Sequence, residues 1–235
     1  MNVYVINMDK DKERMDFMSK QLTDEGIVFS RYPAVVGSAV DGNVLRKWHH
    51  PLLQWLHNGR VLRIPEIGCA MSHLLLYKRF IEQSDEPCIC VLEDDMKVTP
   101  YLKKWIVYLD GKVDAEDCSI RLLSTGCDDL SEVFHVEKTK RETCAGAYVI
   151  TRAAAQRILE LNVPIIKPID IWEYWRTRGG AELYKCVPRG AGHWMRSQFG
   201  SMMDGHHFGR LSKIMYYVWR ITIKPNVWLI SKFTK

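Results

Sequence analysis

The sequence of 235 residues lacks the features that mark several specialised protein classes. It has no run of about 18 apolar residues, which a membrane-spanning helix needs. No basic stretch, long apolar run or small-residue cleavage site follows Met1, so we expect no secretory signal and a cytoplasmic protein. Internal repeats and low-complexity linkers are also missing. The composition, 47% hydrophobic and 26% charged, fits an enzyme-sized globular chain with a sizeable core.

The seven cysteines form no pattern that indicates cross-links or a local zinc site. Their number is odd, their spacings are irregular and no C-x-x-C pair occurs. The sequence therefore supports neither a disulfide framework nor a structural zinc site. Cys88 and Cys90 lie two residues apart in a predicted strand, so both side chains face one side of it. We predict that both belong to the core.

Positive charge is concentrated near the end of the sequence. Between His206 and Lys235 there are six lysines and arginines and no acid, which leaves 27 basic and 28 acidic residues in positions 1–205. A nucleic-acid-binding protein carries a basic patch or stripe on its main domain. Because the main part of this chain is close to neutral, we expect no nucleic acid partner.

Apolar periodicity predicts an α/β fold that opens with a strand, a helix and a second strand, an order that favours a parallel sheet. The predicted strands are 3–6, 27–31, 88–92, 120–124 and 147–151. One predicted helix carries Met15, Met18 and Leu22 on a single apolar face and ends at Gly26. The other predicted helices span 65–81, 101–109 and 152–161. Residues 37–63 are rich in turn residues and are predicted to form an irregular insertion that shapes a substrate pocket.

Three consecutive acids, Glu93, Asp94 and Asp95, follow the apolar run 88–92 directly. In open α/β sheets, ligands bind at the carboxyl ends of the strands. Adjacent carboxylates repel one another unless solvent or a cation offsets their charge. The triplet therefore predicts a divalent cation that holds a diphosphate, and the alternative is a solvated acidic turn.

Four segments occur in the order found in a known family. They are Val5 to Asn7 leading to Arg14, Glu66 to His73, Val91 to Asp95, and Gly146 to Arg152 before an alanine-rich helix. Over residues 1 to about 175 the chain resembles glycosyltransferase family 25, the bacterial lipooligosaccharide galactosyltransferases and their collagen-glycosylating relatives. The resemblance implies a GT-A-like α/β fold, a UDP-sugar donor (UDP-galactose most often), a divalent metal and inversion at the anomeric carbon. The expected acceptor is a lipooligosaccharide or lipopolysaccharide saccharide.

Transfer of a sugar from a diphosphate builds negative charge on the leaving oxygens, which a divalent ion can carry as a Lewis acid. Mn²⁺ and Mg²⁺ prefer hard oxygen ligands. Asp95 is therefore the first predicted metal ligand, with Asp94 or Glu93 beside it. The candidates for a further ligand are three histidines, with a solvated or core position as the alternative for each: His193, His206 and His207.

The acceptor hydroxyl needs a base, and Asp170 is the first candidate. Pro168 stiffens the approach to it, and Trp172 and Trp175 are predicted to form a sugar-stacking wall. The alternative is that Asp170 caps the helix that follows it. Asp128, with its neighbour Asp129, is a second catalytic candidate because it follows a predicted strand.

The resemblance also assigns nucleotide-sugar contacts to Asn7 and Arg14, in addition to Glu93 and Asp94. The Asn7 amide can meet uracil or ribose, and Arg14 can pair with the diphosphate. An exposed ion pair on its own helix is the alternative for Arg14. For Ser72 and His73, core packing or capping competes with a catalytic role.

We predict a catalytic domain at residues 1–205 and a basic aromatic segment at 206–235 that binds an anionic membrane surface. In a helix over 211–224, Leu211, Ile214, Met215, Val218 and Trp219 share one face, and Lys213, Tyr217, Arg220 and Lys224 share the other. The alternative is a C-terminal helix docked on the domain. Two other functions remain open: a catalytically degenerate membrane-surface binding protein and a metal-dependent nucleotidyltransferase.

Overall fold

A computed structural model describes residues 1–114, 116–124, 134–193 and 210–223. Its strands are β1 (Asn2–Asn7), β2 (Ser30–Pro33), β3 (Cys88–Glu93), β4 (Met96–Val98), β5 (Ser119–Leu122), β6 (His135–Lys138), β7 (Ala147–Thr151), β8 (Glu182–Val187) and β9 (Ala191–His193). Its helices are α1 (Lys12–Asp24), α2 (Gly42–Trp48), α3 (Pro51–Asn58), α4 (Ile64–Gln83), α5 (Tyr101–Asp110), α6 (Arg152–Asn162), α7 (Trp172–Thr177) and α8 (Arg210–Thr222).

Seven strands form one mixed sheet in the order β2-β1-β3-β7-β5-β8-β6. β1 pairs in parallel with both β2 and β3, which confirms the predicted β-α-β opening. The sheet is not all parallel, because β7 runs antiparallel to both β3 and β5. The carboxyl ends of β1, β3 and β5 therefore meet the amino end of β7 at one edge. β4 and β9 form a separate antiparallel pair.

The central strand β3 is buried on both faces. Ile89 and Val91 pack in a core with α4 and α6, and Cys88, Cys90 and Leu92 pack in a second core with α1 and α5. A strand covered on both sides is expected to be apolar throughout, as this one is. The structure confirms the predicted α/β fold with a sheet between helices, and it confirms the core positions of Cys88 and Cys90.

The second strand begins later than predicted, at Ser30 instead of 27. The reason is the end of α1: the Ile27 amide donates to the Leu22 carbonyl at 2.8 Å, and Gly26 adopts a positive φ of 62°. This pattern closes a helix and uses the residues that would otherwise extend the strand.

The prediction of an irregular insertion at 37–63 was wrong, because this segment contains α2 and α3. Asp41 caps α2 by accepting hydrogen bonds from two backbone amides. His50 Nδ1 accepts from the Leu53 amide at 3.3 Å at the start of α3, with Pro51 in its first turn. The turn residues of this segment therefore begin helices.

Helix α8 docks on the body through Trp219, which is 5% exposed. Its indole nitrogen donates to the Leu56 carbonyl at 2.8 Å. Gly59 lies under the ring, where an added Cβ would come within 2.7 Å of it. None of the helices in the described ranges has the length and apolar character required to cross a membrane.

Candidate active site

The acidic triplet lies where the sequence placed it, at the carboxyl end of β3. Glu93 is the last strand residue, and its backbone amide donates to the Gly146 carbonyl at 2.8 Å. Asp94 and Asp95 form the tight turn to β4. The bond to Gly146 fixes the start of this turn against β7, so the three carboxylates lie at the edge where the strand ends converge.

Asp94 is held by two of the predicted nucleotide-binding residues. Asn7 Nδ2 donates to Asp94 Oδ2 at 2.7 Å, and Arg14 Nη1 lies 3.4 Å from Asp94 Oδ1. The other side of the Asn7 amide accepts from Arg31 Nε at 2.9 Å. Burial raises the pKa of Asp94, while Asn7 and Arg14 act against that increase. The structure thus uses both residues to orient the turn, and their contacts with a nucleotide stay a prediction.

Asp95 has the chemistry of a cation ligand. Its Oδ1 atom is buried and has no hydrogen-bond partner among the residues that the structure describes. Burial, together with the charges of Glu93 and Asp94, raises the pKa of Asp95 to about 7. An unpaired carboxylate oxygen that is costly to ionise is what a bound divalent ion would satisfy. The donor set therefore fits Mn²⁺ or Mg²⁺.

Helix α4 presents the family-like segment 66–73 to this edge. Glu66 receives a bidentate contact from Arg60 at 2.7 and 2.5 Å, which fixes the start of the helix. Gly68 allows close packing, because an added Cβ would lie 2.7 Å from the Val35 carbonyl. Ser72 accepts from the Val35 amide at 2.8 Å and donates to the Gly68 carbonyl. Ser72 is therefore used for packing and hydrogen bonding within the fold, which is the alternative to a catalytic role.

His73 connects the helix to the acidic triplet. Its Nε2 atom is 3.2 Å from Glu93 Oε1, and its Nδ1 atom is 2.6 Å from the Tyr148 hydroxyl. Tyr148 in turn lies 2.5 Å from the Tyr77 hydroxyl. Cys69, one turn before His73, places its sulfur 4.0 Å from Glu93 Oε1. Tyr148, Tyr77 and Cys69 were not predicted from the sequence as site residues.

Asp170 lies close enough to Glu93 for their charges to interact. Burial and the charge of Glu93 raise its pKa above the ordinary value. The residue at the N-cap of α7 is Ile171, and no side-chain capping bond is present there. The capping alternative for Asp170 is therefore not what the structure shows.

The predicted aromatic wall was wrong. Trp172 and Trp175 are fully buried, and each indole nitrogen donates to a backbone carbonyl, that of Cys144 at 2.8 Å and that of Ile169 at 2.9 Å. Indoles with a satisfied N–H pack well in a core. Cys144 is held at a positive φ of 87°, a strained conformation for a residue with a side chain.

The remaining predicted site residues are described only in part. The backbone of His193 pairs with Met96, so β9 runs beside the strand that follows the triplet. Its side chain lies outside the described residues, as do Asp128, Asp129, His206 and His207. Their assignments stay predictions.

Comparison with known proteins shows the family of this chain. A sequence profile described as "Glycosyltransferase family 25 (LPS biosynthesis protein)" matches residues 1–172. The chain is 28% identical to procollagen galactosyltransferase 2 of Homo sapiens over 184 residues, 73% of this chain and 29% of that protein. It is 27% identical to the probable inactive glycosyltransferase 25 family member 3 of Bos taurus over 183 residues, 73% of this chain and 30% of that protein. The chain thus spans less than a third of the length of these relatives.

Among solved structures, one that the chain matches is the glycosyltransferase GlyE of Streptococcus pneumoniae. It shows a TM-score of 0.42 and 10% identity, with 96% of this chain and 61% of that chain covered. The profile match extends from β1 through the acidic triplet and α4 to Asp170 and the start of α7. This chain belongs to glycosyltransferase family 25.

Proposed function

We propose that the chain is a metal-dependent inverting hexosyltransferase that moves a sugar, galactose in the first instance, from a UDP-sugar to a saccharide acceptor. The observation that supports this most is that Glu93 and Asp95 lie at the carboxyl end of β3, with Asp170 near enough for the charge of Glu93 to raise its pKa. Mn²⁺ or Mg²⁺ held by Asp95 would neutralise charge on the departing diphosphate. Asp94, fixed by Asn7 and Arg14, keeps the turn that presents Asp95 in place.

In this proposal Asp170 accepts the proton of the attacking hydroxyl. Its raised pKa makes it a stronger base than an exposed aspartate while it is ionised. Arg14 is only partly exposed, and it places a positive charge beside the triplet where a diphosphate would lie. His193, on the adjacent strand β9, remains our candidate for a further metal ligand.

The acceptor we propose is a lipooligosaccharide or lipopolysaccharide saccharide, reached from the inner face of the cytoplasmic membrane. Support comes from α8, which docks through Trp219 and leaves neighbouring apolar side chains on the surface. Val218 is 53% exposed and Ile221 is 75% exposed. Such a helix can lie in an anionic membrane interface, and the sequence from 206 to 235 carries six basic residues and no acid.

The proposal is tested by measuring UDP binding to the full chain by calorimetry, with Mn²⁺ and with a chelator. We expect Mn²⁺ to strengthen UDP binding at least tenfold, because the ion bridges Asp95 and the diphosphate. Asp95→Asn should remove most of that increase. Asp24→Asn, which changes an exposed ion pair with Lys20 on α1, is the matched control and should behave as the original chain.

Equal UDP affinity with chelator, with Mn²⁺ and in Asp95→Asn would contradict the metal–diphosphate assignment. Tighter binding of nucleoside triphosphates than of UDP would favour the nucleotidyltransferase instead. Metal-coupled UDP binding without sugar transfer to any saccharide acceptor would favour the degenerate binding protein.

A further inference from the structure

Cys69, His73 and Glu93 bring three different donor atoms together beside the acidic turn. The thiol sulfur, an imidazole nitrogen and a carboxylate oxygen all lie within 4.8 Å of one another. Cys69 and His73 are four residues apart on α4, so they share one face of the helix. Glu93 approaches them from the end of β3. We propose that these three side chains form a second metal site, which binds zinc or a similar thiophilic divalent ion.

The spacing of the donors is close to that of a zinc site. Tetrahedral zinc with bonds of about 2.0 to 2.3 Å separates its ligand atoms by about 3.3 to 3.6 Å. The His73 Nε2 to Glu93 Oε1 distance is 3.2 Å, and the Cys69 Sγ to Glu93 Oε1 distance is 4.0 Å. A rotation of the Cys69 side chain toward Glu93 would complete the geometry. Three protein ligands leave a fourth position for water.

The surroundings of His73 are those of a metal-binding imidazole. Zinc ligands of this type usually donate their other ring N–H to a fixed acceptor. Here the Nδ1 atom of His73 faces the Tyr148 hydroxyl at 2.6 Å, and the Tyr77 hydroxyl holds Tyr148 from behind. His73 is 1% exposed and its ring stacks on that of Tyr148. Nε2 is therefore aimed at Glu93 by a buried chain of hydrogen bonds.

Zinc binding at this site releases one proton. The S–H bond of Cys69 breaks, a sulfur–zinc bond forms, and the proton passes to solvent. The imidazole keeps a single proton, on Nδ1, so that Nε2 can bind the ion. Burial and nearby carboxylates raise the pKa of the Cys69 thiol. A bound cation would offset the negative charge of the thiolate and of these carboxylates. Thiolate and imidazole favour zinc, whereas the oxygens of Asp95 favour Mn²⁺ or Mg²⁺.

The two sites compete for Glu93. When zinc holds this carboxylate, it is no longer available to the neighbouring hard-ion site. Zinc bound to Cys69, His73 and Glu93 should therefore inhibit sugar transfer without occupying the Mn²⁺ site. The inhibition rests on the proposed function, whereas zinc binding does not.

The binding test uses Co²⁺ as a spectroscopic probe on the metal-free full chain, followed by displacement with Zn²⁺. We expect one equivalent to produce the near-ultraviolet charge-transfer band of a thiolate–cobalt bond. Cys69→Ser should abolish the band, and His73→Gln should weaken Zn²⁺ binding at least tenfold. Cys118→Ser is the matched control, since its thiol donates to the Gly180 carbonyl away from the site and serine keeps a donor there.

Absence of the band in the original chain, or its persistence in Cys69→Ser, would overturn the proposal. Circular dichroism of each variant separates loss of the site from loss of the fold, and the two variants change different ligands. Asp95→Asn should keep the cobalt band while losing Mn²⁺-dependent UDP binding. Failure of the zinc site and failure of the transferase proposal are therefore distinguishable.

Discussion

Asp170 is a carboxylate whose surroundings suit proton transfer more than ligand binding. Burial and the nearby Glu93 raise its pKa, and it caps no helix. We expect Asp170→Asn to lower kcat by about 10² to 10⁴, the usual contribution of a general base, with little change in UDP-sugar affinity. Steady-state transfer assays with calorimetric donor binding measure both quantities. Full transfer activity in the variant would remove Asp170 from the mechanism.

Asp95 carries an electrostatic cost that a metal ion should relieve. Because its pKa is raised to about 7, the folded protein keeps a proton that the unfolded chain releases near pH 4. The free energy of unfolding therefore falls as pH rises through this window. Without metal at pH 8, Asp95→Asn should stabilise the protein, on the order of 1 to 3 kcal/mol. Saturating Mn²⁺ should reverse the order, because only the original chain binds it tightly.

Denaturant titrations at pH 4 and pH 8, with and without Mn²⁺, give this comparison directly. The Asp24→Asn control should change neither the pH dependence nor the effect of Mn²⁺. A less stable metal-free Asp95→Asn at pH 8 would mean that the carboxylate already has a stabilising partner.

The triplet could be predicted from sequence because its three acids are adjacent and follow an uninterrupted apolar strand. The hydrogen-bond network that joins Glu93 to His73 and Tyr148 could not be predicted in this way. His73 and Tyr148 are 75 residues apart, and a hydrogen bond over that separation leaves no local pattern. The burial of Trp172 and Trp175 was not predicted, for a related reason. Their N–H groups are satisfied by backbone carbonyls, which the sequence does not display.

At the scale of elements, α3 and α7 meet around a buried histidine. His57 is 2% exposed, and its Nδ1 atom lies 3.0 Å from the Tyr174 hydroxyl. Burial lowers the pKa of His57 to about 4, and the positive charges of Arg178 and Lys167 add to the effect. The unfolded chain therefore takes up a proton near pH 6.5 that the folded protein accepts only near pH 4.

This difference predicts a loss of stability as the pH falls from about 6.5 to about 4, amounting to at most about 3 kcal/mol for His57. His57→Gln keeps a partner for Tyr174 and removes the titration. Its free energy of unfolding should vary less over this range than that of the original chain. Urea titrations at pH 6.5 and pH 4.5 measure it, with His135→Gln, an exposed position on β6, as the control. Equal pH dependence in the two variants would contradict the assignment.

Elements with strong periodicity were predicted well, and those defined by distant partners were not. The helix predicted at 65–81 is α4, Ile64–Gln83, and the strand predicted at 147–151 is β7, Ala147–Thr151. β8 was missed because its buried and partly exposed residues do not alternate regularly and include polar side chains such as Lys185. It is ordered by pairing with β5 and β6 on both sides. The antiparallel placement of β7 is likewise a property of the whole sheet.

At the scale of the whole molecule, α8 is the element on which the proposed membrane contact depends. Sequence periodicity placed Val218 and Trp219 on one face, but the structure separates them. Trp219 docks on α3, whereas Val218, Ile221 and Tyr217 remain exposed. Docking through Trp219 is the alternative predicted for this helix, and its contact with a membrane stays a prediction.

Two sets of variants separate anchoring from membrane binding. Val218→Ser with Ile221→Ser should leave the melting temperature unchanged but weaken binding to anionic vesicles by about tenfold or more, because each apolar side chain loses about 1.5 kcal/mol or more of burial. Trp219→Ala should lower the melting temperature, because it leaves a gap over Gly59 and an unpaired Leu56 carbonyl. Co-sedimentation with phosphatidylglycerol vesicles, compared with neutral phosphatidylcholine vesicles, measures the binding. If the double serine variant and the original chain sedimented equally, or if neither bound, the exposed residues of α8 would have no part in membrane attachment. The acceptor would then have to reach the Glu93–Asp95 edge without help from this helix.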